Sequence, residues 1–467
     1  QGVNLQQCNK AIFVGITFKF NDLIQACHRL QRFGQTRTVQ THIIHADSER
    51  HVHTSLMRKW AQHEELTATM TAIIEEHGLH DISINDALRR AVGVERLSAS
   101  GEGWEFVLSD AVKETAIMEE GSVDMILSSI PFGTQYEYSA NLADFGHTDD
   151  NAHFWRQMDF LTPNLLKILQ PGRIFACHVK DRIKFGNQHG TGLPTVEPFH
   201  AEAIAHYRGH GFDYLGMITV VTDVVRENNT TYRLGYSEMC KDGSKMGVGM
   251  PEYILLFHKP QSDRDHGYAD QRIVKDKAAY TLARWQMDAH AFWRSSGDRP
   301  LTPDELLALS PKQIVHLFTQ HSLATTYNFE AHLALGDSLA AKGALPSTFM
   351  LLAPGSHHPD VWHDVNRMDT GNTAQALQGK EAHICPLQHD IVDRLIQRYS
   401  ADGELVFDPF GGLGTTVYRA LKAGRRGKAT ELNPIYWADG VRYCQIAERK
   451  ASMPTLFDVD DELEPVA

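Results

Sequence analysis

The stretch that decides the fold is VFDPFGGLGTT at residues 406–416, which is followed by ATELNP at residues 429–434. An apolar strand runs into a glycine-rich turn, a helix follows, and Glu431 ends the next strand. Glycine lacks a Cβ, so such a turn lets the backbone approach a ligand closely. A carboxylate at the next strand end can accept two ribose hydroxyls. The pattern predicts a nucleotide-type cofactor site on a doubly wound, mainly parallel α/β sheet.

A second motif, SSIPF at residues 128–132, ends an apolar strand predicted at 123–127. Ligands bind at the carboxyl edge of such sheets. The hydroxyl of Ser129 and the backbone carbonyl of Ile130 can accept the two N–H bonds of an exocyclic amine. Phe132 offers an aromatic face for a base taken out of a duplex. Taken alone, the segment fits equally well a serine-rich strand end whose phenylalanine only packs.

Composition and charge narrow the class of protein. With 467 residues, 42% hydrophobic and 22% charged, the chain is expected to be a soluble globular protein of two or three domains. It shows no run long enough to span a bilayer and no secretory signal. The six cysteines contain no C-x-x-C pair, which favours a reducing cytoplasm. The net charge of -13 disfavours unspecific coating of nucleic acid but allows a local basic cleft.

Alternating strand and helix patterns divide the chain into six segments. Strands at 106–108, 123–127 and 173–179, a helix at 155–169, and late strands at 212–221 and 253–258 mark the first part of the predicted sheet. The alternation resumes only at residue 383, so the region before it is interpreted as a mostly helical insert. The segments are an N-terminal one (1–60, with strands at 11–15 and 39–44), a helical linker (61–89), a catalytic part (90–258), the insert (259–382), a cofactor-binding part (383–450) and an acidic tail (451–467).

Together, the two motifs resemble those of the DNA amino-methyltransferases. The order S-x-P-F first and DPFGGLGTT later is similar to the circularly permuted β group of that family, and the resemblance covers residues 105–258 and 383–445. LSD at 108–110 is similar to the acidic strand end before the catalytic motif. HICPLQ at 383–388 is similar to a cofactor-contacting segment. The resemblance implies S-adenosyl-L-methionine as cofactor and double-stranded DNA as partner. It also implies methylation of adenine N6 or cytosine N4 after base flipping.

The resemblance also assigns site residues. The catalytic motif is Ser129, Ile130, Pro131 and Phe132. The cofactor-binding residues are Asp110, His383, Pro386, Gln388, Asp408, Pro409, Phe410, Gly411, Gly412, Gly414, Thr415, Glu431 and Asn433. The family usually has two prolines in the catalytic motif, and isoleucine at position 130 removes one φ restraint, which bears on efficiency more than on reaction type. Serine at position 129 is commoner among cytosine-N4 enzymes, but a hydroxyl cannot by itself choose between the two bases.

The first 60 residues carry a separate resemblance. GVNLQ at 2–6 and QACHRLQRFGQ at 25–35 resemble the last two motifs of Swi/Snf-type superfamily 2 helicases, with Gln25, Arg29 and Arg32 as the ATP-contacting candidates. The chain has no phosphate-binding GxxxxGK[ST] loop, so we expect no unaided ATP hydrolysis. We expect this segment to be the end of a RecA-like translocase domain whose other half is missing, and the chain, which begins at Gln1, to be a fragment. The alternative is a basic helix on a small sheet.

Residues 259–382 fall where the β group places its target-recognition region, so the resemblance implies that this insert reads DNA. Basic and histidine-rich stretches give weaker predictions. Lys180, Arg182, Arg284 and Arg294 are candidate DNA contacts, although a solvated turn or a core role fits them as well. Residues 355–364 hold three histidines and two aspartates, but the spacing matches no helix-borne ligand pair. A polar loop without metal is therefore predicted there.

Two other functions fit parts of this sequence. One is a helicase-associated subunit with a degenerate methyltransferase fold. The other is a methyltransferase acting on RNA or a protein amine, although such enzymes often carry N-P-P-Y and lack a long insert. Fusion to a translocase would favour a phage, mobile-element or restriction-modification context.

Overall fold

The structure is a computed structural model that falls into two compact units, residues 1–95 with 133–157 and residues 96–132 with 158–467. It describes residues 8–15, 23, 27, 37–50, 52–57, 59–61, 95–131, 133, 138–139, 141, 143–184, 190, 195–222, 240–245, 250–289, 304, 307–314, 316, 329–346, 360–363, 365–367, 369–372, 375, 383 and 386–452. None of the helices in those ranges is long and apolar enough to cross a membrane.

The first unit contains a small parallel sheet. Strands β1 (Lys10–Val14) and β2 (Gln40–Ile44) pair in parallel, and both alternate exposed with half-buried residues. Leu23, Cys27, Val52 and Leu56 form a buried cluster against the half-buried side of this pair. The two predicted strands are therefore confirmed. Gln25, Arg29 and Arg32 lie outside the described residues, as does nearly all of the 61–89 linker.

The second unit is built on a nine-stranded sheet with the order β11-β9-β10-β6-β5-β12-β13-β4-β3. A separate hairpin pairs β7 (Arg182–Lys184) with β8 (Thr195–Glu197). The sheet strands are β3 (Leu97–Gly101), β4 (Trp104–Leu108), β5 (Val123–Ser129), β6 (Leu169–Lys180), β9 (Asp213–Val220), β10 (Glu252–His258), β11 (Val361–Trp362), β12 (Leu405–Asp408) and β13 (Arg426–Glu431). The five neighbours β6, β5, β12, β13 and β4 are parallel, whereas β10 is antiparallel to β6 and β9. The predicted mixed α/β fold with a large, mostly parallel sheet is confirmed.

Helices connect and cover these strands. They are α1 (Ala111–Ile117), α2 (Asn151–Ile168), α3 (Phe199–Gly209), α4 (Leu282–Ala289), α5 (Phe329–Ala341), α6 (His389–Tyr399), α7 (Thr415–Lys422) and α8 (Pro434–Ser452). Strand β5 is buried at every position but its last, Ser129, and its apolar residues fit a central parallel strand that is covered on both faces. Four apolar residues of α6 are fully buried in the core that it shares with β5, β6 and β10: Ile391, Val392, Leu395 and Ile396.

The boundary of the predicted insert differs from the structure. Strand β11 lies within 259–382, yet it pairs in parallel with β9 and places Trp362, which is 1% exposed, in the core of the main sheet. The Nζ of Lys275 donates to the carbonyl of Ser400 at 2.6 Å, so the start of the region also contacts the loop after α6. The physical reason is that Trp362 has a large apolar surface, and its burial in the core of the main sheet stabilises the fold. At least these parts of 259–382 therefore belong to the sheet domain.

Candidate active site

The parallel strands bring the predicted motifs to one edge of the sheet. Since β6, β5, β12, β13 and β4 run side by side in the same direction, their carboxyl ends lie together. The residues at or next to these ends are, in strand order, His178, Ser129, Asp408, Glu431 and Asp110. Motifs separated by 280 positions in the chain thus become neighbours.

The glycine-rich turn is tight because no side chain fits inside it. A Cβ on Gly411 would lie 2.7 Å from Phe106 Cε2 and 2.9 Å from Ala429 Cβ. Gly414 adopts φ +75° immediately before α7, a left-handed conformation that a residue with a Cβ adopts only with strain. The turn therefore requires glycine at these positions.

Asp408 holds this turn from inside. It is 4% exposed, and its Oδ1 accepts hydrogen bonds from Ser128 Oγ at 2.7 Å and Phe410 N at 3.0 Å. Its Oδ2 accepts one from Thr416 Oγ1 at 2.7 Å. Burial raises the pKa of Asp408, although all three hydrogen bonds act in the opposite direction. The carboxylate therefore serves as an anchor that ties the serine motif to the turn, a role that its position in the motif alone did not reveal.

Glu431 stands at the end of β13 with its carboxylate half-buried. Its Oε2 accepts a hydrogen bond from Gly412 N at 2.8 Å, and its Oε1 accepts one from Asn433 N at 2.7 Å. Asn433 in turn accepts from Ile435 N at 2.9 Å at the start of α8. These contacts fix the orientation of the Glu431 carboxylate at this edge of the sheet, and its role in binding a ribose stays a prediction.

Three further predicted cofactor residues surround the turn. Asp110 is buried, caps α1 by accepting from Val112 N at 3.0 Å, and follows Ser109, whose amide donates to the carbonyl of Glu431 at 3.0 Å. A Cβ on Gly412 would lie 3.0 Å from the His383 ring. Gln388 Oε1 is buried and lacks a hydrogen-bond partner among the described residues. A buried acceptor that has no partner among the described residues fits a polar ligand.

Asn372 is a residue of this region that sequence reasoning missed. Its Nδ2 donates to the carbonyl of His383 at 2.7 Å, and its Oδ1 accepts from the amide of His383 at 2.7 Å. The ring of His383 also lies 4.7 Å from that of Tyr436. No pattern around residue 372 signals this role, because the contact is made across a fold and not along an element.

On the other half of the edge, Ser129 leads into a buried polar chain. Its Oγ lies 2.9 Å from His178 Nδ1, and His178 Nε2 lies 3.2 Å from Glu252 Oε2. Arg367 donates two hydrogen bonds to Glu252, at 2.7 Å and 2.6 Å, while Lys180 Nζ stands 3.6 Å from the same carboxylate. Burial alone would raise the pKa of Glu252, but the hydrogen bonds from Arg367 and His178 outweigh it and hold that pKa well below its ordinary value. Glu252 and Arg367 had no signal in the sequence.

The rest of the catalytic motif is partly described. Ile130 is buried, and its amide donates to the carbonyl of His178 at 3.3 Å. The carbonyl of Pro131 accepts from Arg182 at 3.3 Å. Phe132 lies outside the described residues.

The candidate DNA-contacting arginines that the structure describes point into the protein. Arg182 is 2% exposed, and its guanidinium lies 3.5 Å from the centre of the Phe199 ring. Arg284 donates to Gln397 Oε1 at 2.7 Å and lies 3.5 Å from Asp288. These guanidinium groups form hydrogen bonds or stack on a ring within the protein, and their contact with DNA stays a prediction. Lys180 remains partly accessible, and Arg294 lies outside the described residues, as does most of the histidine-rich stretch 355–364.

Comparison with known proteins agrees with this arrangement. Residues 123–441, which make up more than half of the chain, match the model of the N6/N4 family described as DNA methylase. No curated protein matches the chain.

Several solved structures are similar at low identity. A proposed DNA modification methylase from Thermus thermophilus, complexed with S-adenosyl-L-methionine, has 20% identity over 72% of this chain and 91% of that chain, with a TM-score of 0.38. The cytosine-N4-specific PvuII DNA methyltransferase has 14% identity over 75% of this chain and 93% of that chain, with a TM-score of 0.41. The M1.HpyAVI complex with S-adenosylmethionine has 12% identity over 73% of this chain and 98% of that chain, with a TM-score of 0.34.

The family match extends from β5 to α8, so it includes both the serine motif and the glycine-rich turn. S-adenosyl-L-methionine is the cofactor of this family, and the glycine cradle, the Glu431 carboxylate and the buried acceptor of Gln388 fit a ligand of that kind. The chain therefore belongs to the N6/N4 DNA methylase family and is a DNA methyltransferase.

Proposed function

We propose that this protein methylates the exocyclic amine of a DNA base, adenine N6 or cytosine N4, after the base has left the duplex. The observation that carries the proposal is the hydrogen bond from Ser128 Oγ to Asp408 at 2.7 Å. It joins the amine-binding motif to the cofactor turn, so the acceptor groups at Ser129 and Ile130 lie beside the strand end that leads into that turn.

On the cofactor side, the residues bind and orient. Glu431 accepts the ribose hydroxyls, and the amides of the turn and the side chains of Asp110, His383 and Gln388 line the remainder. When bound, S-adenosyl-L-methionine supplies an electrophilic methyl group on a sulfonium. Because the turn is anchored through Asp408, the donor would be held in one orientation toward Ser129.

On the substrate side, the residues position an amine whose lone pair is delocalised into the base. Ser129 Oγ and the carbonyl of Ile130 accept its two N–H bonds, which favours the more tetrahedral nitrogen that attacks the methyl group. Phe132 stacks on the flipped base. A dry, preorganised set of acceptors stabilises positive charge on nitrogen as it develops.

The test is incubation with labelled S-adenosyl-L-methionine and mixed duplex DNA, followed by mass spectrometry of the nucleosides. We expect N6-methyladenine or N4-methylcytosine, and this result also identifies the base. Glu431→Gln should weaken cofactor binding about 10-fold in calorimetry, since a hydrogen bond to a charged group contributes about 1.5–3 kcal/mol. Absence of both methylated nucleosides with the unaltered protein, at saturating cofactor, would overturn the proposal. It would favour a degenerate methyltransferase fold used for binding.

A remnant of an ATP-driven translocase at residues 1–60 is a further proposal. It is supported by the helicase-like motifs and by the parallel pairing of β1 with β2. Replacing Arg29 and Arg32 should leave methylation of short duplexes unchanged, because the segment lacks a phosphate-binding loop. Loss of methylation in that variant would refute this interpretation. A cytoplasmic location and a mobile-element or restriction-modification context also stay predictions.

A further inference from the structure

A chain of polar groups leads from the amine-binding serine into the interior of the sheet. Ser129 ends β5, His178 lies opposite it on β6, and Glu252 begins β10. The distances are 2.9 Å from Ser129 Oγ to His178 Nδ1 and 3.2 Å from His178 Nε2 to Glu252 Oε2. His178 and Glu252 are both more than nine-tenths buried, whereas Ser129 is half-buried at the edge. The chain therefore has one accessible end, and that end is the group expected to contact the substrate.

The charges around this chain decide the direction of each hydrogen bond. Arg367 donates twice to Glu252, and Lys180 lies 3.6 Å away, so two cations keep this carboxylate ionised. An ionised carboxylate only accepts, so His178 must carry its proton on Nε2. The bare Nδ1 then accepts the hydroxyl proton of Ser129. The lone pairs of Ser129 Oγ are left free to point toward an N–H of the substrate.

We propose that His178 is a positioning residue and the terminal acceptor of the proton that the substrate amine loses. The inference rests on the proposed function. As the new N–C bond forms, the C–S bond of the methyl donor breaks and its electron pair stays on sulfur. The amine proton passes to Ser129 Oγ while the hydroxyl proton passes to His178 Nδ1. The resulting imidazolium is stabilised by Glu252, and after product release the proton returns through Ser129 to water.

A purely structural role explains this arrangement less well. Burying a carboxylate with a guanidinium costs desolvation free energy, and apolar side chains of similar volume would stabilise a sheet interior at least as well. The charged groups within reach of His178 are Glu252 and, through that carboxylate, Arg367 and Lys180. One anion faces the imidazole directly and two cations lie behind it. This arrangement tolerates a transient positive charge on His178 while keeping Glu252 anionic.

The test compares His178→Gln with the unaltered full-length protein in single-turnover methylation. Glutamine can accept a hydrogen bond from Ser129 but cannot take up a proton. We expect the rate to fall about 100-fold, the usual scale for general acid–base assistance, with cofactor affinity and KM for DNA nearly unchanged.

His258→Gln is the matched control. His258 lies at the opposite end of β10, 3.6 Å from Asp213, and takes no part in the site. This variant should keep the rate. The pair Glu252→Gln with Arg367→Gln removes anion and cation together, which limits the number of buried charges left unpaired. It should lower the single-turnover rate, because the forming imidazolium loses its counter-ion.

Failure of the proposed function and failure of the proposed role of His178 would give different results. Undetectable methylation by the unaltered protein would defeat the proposed function itself. If the unaltered protein is active but folded His178→Gln retains its rate, the role proposed for His178 is wrong while the methyltransferase activity stands. Circular dichroism and cofactor titration show whether each variant is folded, so a lost rate cannot be mistaken for unfolding.

Discussion

The two halves of the carboxyl edge are built by different physical means. On the cofactor half, formed by β12, β13 and β4, the decisive constraints are backbone ones: a turn without room for a Cβ at Gly411 and backbone amides bound by Glu431. On the amine half, formed by β5, β6 and β10, side chains decide. Ser129, His178 and Glu252 form a buried polar chain.

This difference explains why one half was predictable in detail and the other was not. A tight turn allows only certain residue types at fixed spacing, so it leaves a readable signature within a dozen positions. A polar chain across three strands needs only one suitable side chain from each. These three side chains lie at residues 129, 178 and 252, and the arginine that pairs with the last is residue 367, so all are far apart in sequence. No local pattern records that they meet.

The largest expected effect is on the amine half. Glu252→Ala leaves Arg367 and His178 without their buried partner, and removing one member of a buried pair typically costs about 3–5 kcal/mol. We expect the free energy of unfolding to fall by about that amount in urea denaturation. A loss below about 1 kcal/mol would show that water or another carboxylate replaces Glu252 and that the chain is looser than its geometry indicates.

On the cofactor half, Gly411→Ala tests the turn. The added Cβ would press on Phe106 and Ala429, and overpacking of this kind costs about 1–3 kcal/mol. Cofactor affinity in calorimetry should fall together with stability, because the same backbone shapes both. Gly209→Ala, at a helical glycine whose Cβ would meet nothing within 4 Å, is the control and should leave both quantities unchanged. Tight cofactor binding by Gly411→Ala would contradict the proposed cradle.

The two buried carboxylates, Glu252 and Asp408, should contribute to stability in opposite ways as the pH changes. The pKa of Glu252 is lowered, mainly by Arg367 and His178 acting against burial, so its contribution to stability is present above its ordinary pKa of 4.5 and is lost as the pH falls toward the folded-state pKa. Burial raises the pKa of Asp408 above 3.8, so its contribution is present at low pH and is lost as the pH rises through the folded-state pKa.

From about pH 3 to pH 7, the contributions of Glu252 and Asp408 to the free energy of unfolding should therefore change in opposite directions. Relative to the unaltered protein, Glu252→Gln should lose less stability on acidification, whereas Asp408→Asn should lose less stability as the pH rises. Parallel pH profiles for the two variants would contradict the assigned charge states.

The smallest effect is expected at the rim of the amine half. Lys180 is a quarter exposed and stands 3.6 Å from Glu252, so it is screened by water. Lys180→Gln should change the free energy of unfolding by less than about 1 kcal/mol and leave the single-turnover rate within about twofold. A larger loss would mean that Lys180, and not Arg367, is the main counter-ion of Glu252.

The sequence predicted the element types well where periodicity was strong. The strands predicted at 123–127 and 173–179 lie within β5 and β6, because most residues of a central parallel strand are apolar and buried. It did not reveal the internal contacts of Arg182 and Arg284, since an arginine looks the same in sequence whether its guanidinium faces DNA or makes contacts within the protein. It also separated 259–382 too sharply, because a strand as short as β11 has no periodicity to detect.

By itself, the sequence determined the parallel α/β fold and the glycine-rich turn, and it placed both motifs at the same edge of the sheet. It could do so because backbone sterics and burial restrict residue type locally. Only the tertiary structure decided that Asp408 anchors the turn from inside and that His178, Glu252 and Arg367 stand behind Ser129. Those roles depend on the distance and direction between side chains brought together by strand order. Neither property is written in the spacing of residues along the chain.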